Sequence, residues 1–157
     1  LDRMFQADFE DGGLDQLMLL PVALEGAVMA KLCAHFVGIL LPVLATMPLA
    51  GLLLNIRPDT VMPMLATLLA GAPALVMLGA IGAALAVGVR RAGLLTVLIV
   101  TPLYVPVIVF GAGAAARSLD APGTLDVAAL GVLGLISAAS IFLAPPAIAA
   151  ALRAGLR

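Results

Sequence analysis

Lys31 and His35 stand four residues apart, a spacing that puts both side chains on one face of a helix. An imidazole is a common axial ligand of haem iron, and an ammonium group beside it would attract a propionate. The competing reading is structural: a polar side chain near a helix end snorkels toward the interface or bonds to a neighbouring helix. The residues alone leave both open. Other reactive groups are few, with one histidine, one cysteine and one tyrosine in 157 residues. Cys33 is expected to be a small buried apolar residue. Tyr104, between Pro102 and Pro106, is expected to be a buried hydroxyl with a partner. There is no H-E-x-x-H or G-x-S-x-G pattern and no grouping of ligands that would hold a metal. A phosphate loop needs glycines and a hydroxyl around its lysine. The sole lysine, Lys31, sits in Val28-Met29-Ala30-Lys31-Leu32 and has neither, so the chain does not bind a nucleotide by that route.

The elements that must position these groups follow from composition. Hydrophobic residues make up 64% of the chain and charged residues 11%, with a mean hydropathy of +1.23. Soluble domains carry roughly a quarter charged residues, so this chain has too few to cover a water-facing surface and must face lipid. A net charge of −1 leaves no basic stripe, and a nucleic-acid partner is excluded.

Uncharged stretches cover 32–54, 61–89, 92–116 and 127–152. A hydrocarbon core of about 30 Å needs about 20 helical residues, and each stretch exceeds that. The predicted fold is an all-α, polytopic transmembrane helical bundle with four spans, at about 29–54, 61–89, 94–116 and 127–152. Barrel strands would show short alternating segments instead. The second stretch is longer than one crossing needs, and both a single tilted helix and a helix broken near Pro63 fit it. Arg3, Lys31, Arg90, Arg91, Arg153 and Arg157 fall on one side of four crossings. Only Arg57 and Arg117 fall on the other, diluted by Asp59, Asp120 and Asp126. The positive-inside bias places both ends of the sequence in the cytoplasm.

Within the spans, Gly79, Gly82 and Gly88, with Ala80, Ala83 and Ala84, give span two a low surface on which another helix packs closely. Pro102 and Pro106 remove two amide donors from span three, free the carbonyls of Leu98 and Pro102, and predict a kink. No Asp or Glu lies within an apolar stretch, so the relays of an ion-coupled carrier are missing and energy for transport must come from another subunit.

Residues 1–26 differ from the transmembrane domain at 27–157. Apolar residues recur at helical spacing (Leu1, Met4, Phe5, Phe9, then Leu14, Leu17, Met18) around a break at Gly12-Gly13, among Asp2, Asp8, Glu10, Asp11 and Asp15. This predicts a pair of short amphipathic helices with an acidic face. The anionic inner leaflet repels such a face, and a protein groove suits it better. The segment reads as a cytoplasmic docking element, with a solvated acidic turn as the alternative.

An ordered series of short motifs carries a family resemblance. It begins with Leu1-Asp2-Arg3-Met4-Phe5, Asp8, Glu10-Asp11-Gly12, Leu14, Gln16-Leu17 and Leu20-Pro21, and continues with Ala30-Lys31 and Ala34-His35. Gly71 with Pro73, Leu78-Gly79-Ala80, the paired arginines between Gly88 and Gly93, and Pro102-Leu103-Tyr104-Val105-Pro106 follow. Phe110-Gly111-Ala112, Ala144-Pro145 and Ala149-Ala150-Ala151-Leu152-Arg153 complete it. Together they resemble the CcmB family, the membrane B subunit of the haem exporter in bacterial cytochrome c maturation. The resemblance implies an ABC-2-type exporter permease in the bacterial inner membrane, with two spans upstream of Leu1. It implies a separate ATP-binding subunit (CcmA-like) that uses ATP, CcmC-like and CcmD-like membrane subunits, and haem as substrate with no cofactor held by this chain. It also assigns ATPase coupling to Phe5, Asp8, Glu10, Asp11, Gly12, Leu14 and Leu17. Two alternatives remain: a scaffold that transmits ATPase-driven release of a haem chaperone without moving haem, and an ABC-2-type permease for another small molecule.

Overall fold

The computed structural model describes Asp11 and residues 24–87 and 92–155. Among them there are four helices and no strand: α1 (Leu24–Leu53), α2 (Pro58–Leu85), α3 (Ala92–Asp120) and α4 (Val127–Gly155). All four are long and apolar enough to cross a membrane. At ~1.5 Å per residue each exceeds the hydrocarbon thickness. The chain is a polytopic membrane helical bundle.

Local chemistry fixes the reversals. Asn55 adopts φ 54°, a left-handed conformation that asparagine tolerates better than most residues. The Ile56 amide then donates to the Gly51 carbonyl at 2.8 Å and the Asn55 amide to Leu52 at 3.2 Å, which satisfies the last carbonyls of α1 in a Schellman arrangement. Pro58 opens α2, where a missing amide costs nothing. Between α3 and α4, Gly123 takes φ 81°. Asp126 then caps α4 by accepting the Ala129 amide at 3.0 Å.

The second helix runs unbroken from Pro58 to Leu85, with Pro63 and Pro73 inside it. It is the centre of the bundle. Successive helices alternate in direction, so the start of α1, the end of α2 and the end of α4 share one end, called here the Arg153 end. There Val28 and Leu32 of α1 pack with Met77, Ala80 and Ala84 of α2 and with Ile148 of α4. Toward the opposite, Asp126 end, Ala74 of α2, Val107 of α3 and Leu133 of α4 form a second core. Helices α1 and α3 flank α2 without packing on each other.

Candidate functional site

The residues expected to couple to an ATPase, Phe5, Asp8, Glu10, Gly12, Leu14 and Leu17, lie outside the described residues, as does Gly88. Asp11 is described and is an exposed turn residue. Lys31 and His35 are both half-buried on α1. The Nε2 atom of His35 is buried and has no hydrogen-bond partner. Cys33, expected inside, is exposed instead. Helix α1 packs along a narrow line only, and a polarisable thiol costs nothing against lipid tails. Among the described residues, no three His, Cys, Asp or Glu side chains come together to hold a metal.

The helix-packing residues converge on α2. Gly79 and Gly82 are buried on it. A Cβ on Gly82 would collide with Cγ2 of Val100 on α3, so the two backbones approach there only because residue 82 has no side chain. The Thr96 hydroxyl on α3 lies 3.4 Å from the Gly82 carbonyl and donates to it. Further along α3, the Tyr104 hydroxyl donates to the Leu75 carbonyl at 2.7 Å, the partner anticipated for it. Pro102 and Pro106, on either side of Tyr104, sit on the exposed face of a continuous helix.

One side chain that the sequence did not single out contributes most to this centre. Ser137 of α4 accepts a hydrogen bond from the Ala74 amide at 3.3 Å and donates one to the Ala70 carbonyl. Residues 70 and 74 are the two ends of one turn of α2, and Pro73 stands between them. The signal was present in principle. Ser137 and Ser140 are the only hydroxyls of α4, and a polar group at membrane depth seeks a partner on its own or a neighbouring helix.

Charge sits at the ends. Arg57 pairs with Asp59 at 3.0 Å, and Arg117 pairs with Asp126, so both basic residues at the Asp126 end are neutralised by a neighbour. Hydrogen bonding to Asp59 raises the pKa of Arg57 above its ordinary value. At the other end, Arg153 of α4 pairs with Glu25 of α1 at 2.9 Å. Between α1, α2 and α3, toward the Asp126 end, opens an apolar lateral cleft of about 310 Å³. Met47, Met64, Leu68, Gly71, Leu75 and Ile108 are among the residues that line it.

These parts make a bundle held by small residues and interhelical hydroxyls, with no reactive centre among the described residues. Residues 1–155 match the family model for CcmB protein. The chain is 50% identical over 157 residues to Heme exporter protein B of Paracoccus denitrificans, an alignment that covers all of this chain and 71% of the relative. It is 43% identical over 157 residues to Heme exporter protein B of Rhodobacter capsulatus, again covering the whole chain and 71% of the relative. It is 42% identical over 158 residues to the protein of that name in Haemophilus influenzae, covering 99% of this chain and 69% of the relative. A match that runs from residue 1 through all four helices leaves no part of the bundle unaccounted for, and the chain belongs to the CcmB protein family.

Proposed function

We propose that this chain is the membrane permease subunit of an ABC-type haem exporter complex acting in cytochrome c biogenesis. The observation that carries the reading is the end-to-end likeness to proteins named Heme exporter protein B, on a bundle that has the four apolar helices of a multi-pass membrane protein. The absence of a phosphate-loop sequence supports an external motor, a CcmA-like ATP-binding subunit, with CcmC-like and CcmD-like subunits alongside.

Residues 1–26 are the coupling segment in this proposal, and its acidic face, Asp8, Glu10 and Asp11, grips the motor. The charge pattern at the two bundle ends supports a matching orientation. Sequence order puts Lys31, Arg90, Arg91, Arg153 and Arg157 on one side of four crossings and only Arg57 and Arg117 on the other, where each is paired with an aspartate. In the inner membrane the Arg153 end therefore faces the cytoplasm, where an ATPase has its substrate.

Changing Asp8, Glu10 and Asp11 together to lysine in the full-length protein tests the coupling. The ATP-binding subunit should no longer co-purify, and holocytochrome c should fall to the level of a deletion strain, while membrane insertion is unchanged because the spans lie elsewhere. Full retention of the partner by the triple variant would remove the docking role. Normal cytochrome c maturation in a strain lacking this gene would remove the function itself.

A further inference from the structure

In the middle of α2, two successive steps of the helical ladder are open to change. Pro73 has no amide, so the Leu69 carbonyl loses its partner four residues on, and the proline ring crowds that same carbonyl. At the next step, that of the Ala74 amide and the Ala70 carbonyl, the Ser137 hydroxyl of α4 accepts from the first and donates to the second. One residue further along, the Leu75 carbonyl receives the Tyr104 hydroxyl of α3. Ser137 is buried and Tyr104 half-buried. Lipid offers no hydrogen bonds, so backbone groups freed at this depth depend on such side chains. A side chain inserted into the ladder, next to a proline, is also a recognised origin of helix bending.

We propose that residues 69–75 are a hinge in α2, latched by the Ser137 and Tyr104 hydroxyls. In the closed turn a single Ser137 oxygen bridges the Ala74 amide and the Ala70 carbonyl; lengthening the turn carries the two groups beyond its joint reach, so the bond favours the closed state. The half of α2 on the Asp126 side carries Met64, Thr67 and Leu68, which line the lateral cleft. Its pivoting against the Arg153-side half changes the width of the cleft. The Arg153-side half is held by the continuous core of Met77, Ala80, Ala83 and Ala84 against α1 and α4, and does not move with it. The hinge belongs to this chain's own helices and goes beyond the transport reading, since it does not depend on what crosses the membrane.

Spin-label distances measured by double electron–electron resonance on the full-length protein, in its assembled complex in lipid nanodiscs, test this in a Cys33→Ser background. One label pair sits at the Asp126 end, on exposed Met62 of α2 and Leu119 of α3; a second sits at the Arg153 end, on Leu85 and Leu94. An interhelical hydrogen bond in a membrane biases an equilibrium by about threefold, so removing both latches shifts it by roughly tenfold. The Ser137→Ala, Tyr104→Phe double variant is expected to enlarge a second distance population of the first pair by about that factor and leave the second pair unchanged. Adding Pro73→Ala restores the missing amide and should return the first pair to its original distribution. An unchanged first pair in the double variant overturns the latch. Equal broadening of both pairs shows general loosening and overturns the hinge, as does a Pro73→Ala change that leaves the second population in place.

Discussion

Helices α1 and α2 are nearly the same by any measure of apolarity, yet they occupy opposite positions in the bundle. They have 30 and 28 residues, and their most apolar windows have mean hydropathies of 2.2 and 2.1. Only 6% of the α1 window is buried against 50% of the α2 window. The difference lies in side-chain size. The exposed face of α1 carries Val37, Leu41, Leu49 and Leu52. The buried face of α2 carries Gly71, Gly79, Gly82, Ala80, Ala83 and Ala84. Lipid tails are as apolar as leucine, so burying a leucine among helices gains little over leaving it in lipid. Close backbone contact and interhelical hydrogen bonds make the difference. Apolarity takes a helix into the membrane, and small residues decide which helix the others gather round.

The sharpest way to break this contrast is to enlarge a glycine on each helix. Gly82→Leu forces α3 away from α2 at Val100 and separates the Thr96 hydroxyl from its carbonyl. Overpacking of this kind costs about 3 kcal/mol, and more where a backbone must shift. Gly38 on α1 has open space where its Cβ would be, so Gly38→Leu should change stability by less than about 0.5 kcal/mol. Thermal unfolding in detergent, followed by size-exclusion chromatography, measures both. A Gly82→Leu protein as stable as the Gly38→Leu one would mean that the close approach does not organise the bundle.

A smaller effect comes from trimming a leucine. Leu133 of α4 is fully buried against Ala74 and Val107, whereas Leu41 of α1 is 61% exposed. Leucine-to-alanine changes in soluble cores cost about 2–5 kcal/mol, part of it from transfer out of water. That part is nearly absent when the alternative to protein is lipid, so Leu133→Ala should cost about 2 kcal/mol and Leu41→Ala close to none. Finding similar losses at the two sites would show that α1 is covered in the assembled complex as thoroughly as α4 is in the bundle.

The same contrast explains what could be read from the sequence. Four helices and their antiparallel order followed from runs of uncharged residues, because the bilayer sets a length that a run meets or does not. The small-residue face of span two was visible as well, since glycine and alanine at helical spacing have a direct steric meaning. Which neighbour meets that face was not visible: nothing in the sequence tells Gly82 that it will lie against Val100. Ser137 illustrates the limit. A lone serine in an apolar run is a common sight, and its insertion between Ala70 and Ala74 depends on the register between α2 and α4, a long-range relation. Cys33 was misjudged for the related reason that its burial depends on which side of α1 meets the bundle. The acidic segment shows the converse, because its composition alone suggests a partner.

The weakest of these links ties the peripheral helix to the rest at the Arg153 end. Glu25 begins α1 and Arg153 closes α4, and the two meet at 2.9 Å with side chains 37% and 55% exposed. An exposed pair of this kind contributes about 0–1 kcal/mol and is screened by salt. Its partners in holding α1 are Val28 and Leu32, both fully buried, and these are untouched by a change of charge. Glu25→Gln should therefore lower stability only slightly at low ionic strength, with the difference vanishing near 1 M salt. A double-mutant cycle with Arg153→Gln isolates the pair from each residue's other contacts. A coupling well above 1 kcal/mol that survives high salt would mean the ions are shielded from water in the assembled complex. The Arg153 end of α1 would then be as firmly seated as α2, and the division between centre and periphery would hold only for the half of α1 nearer Asn55.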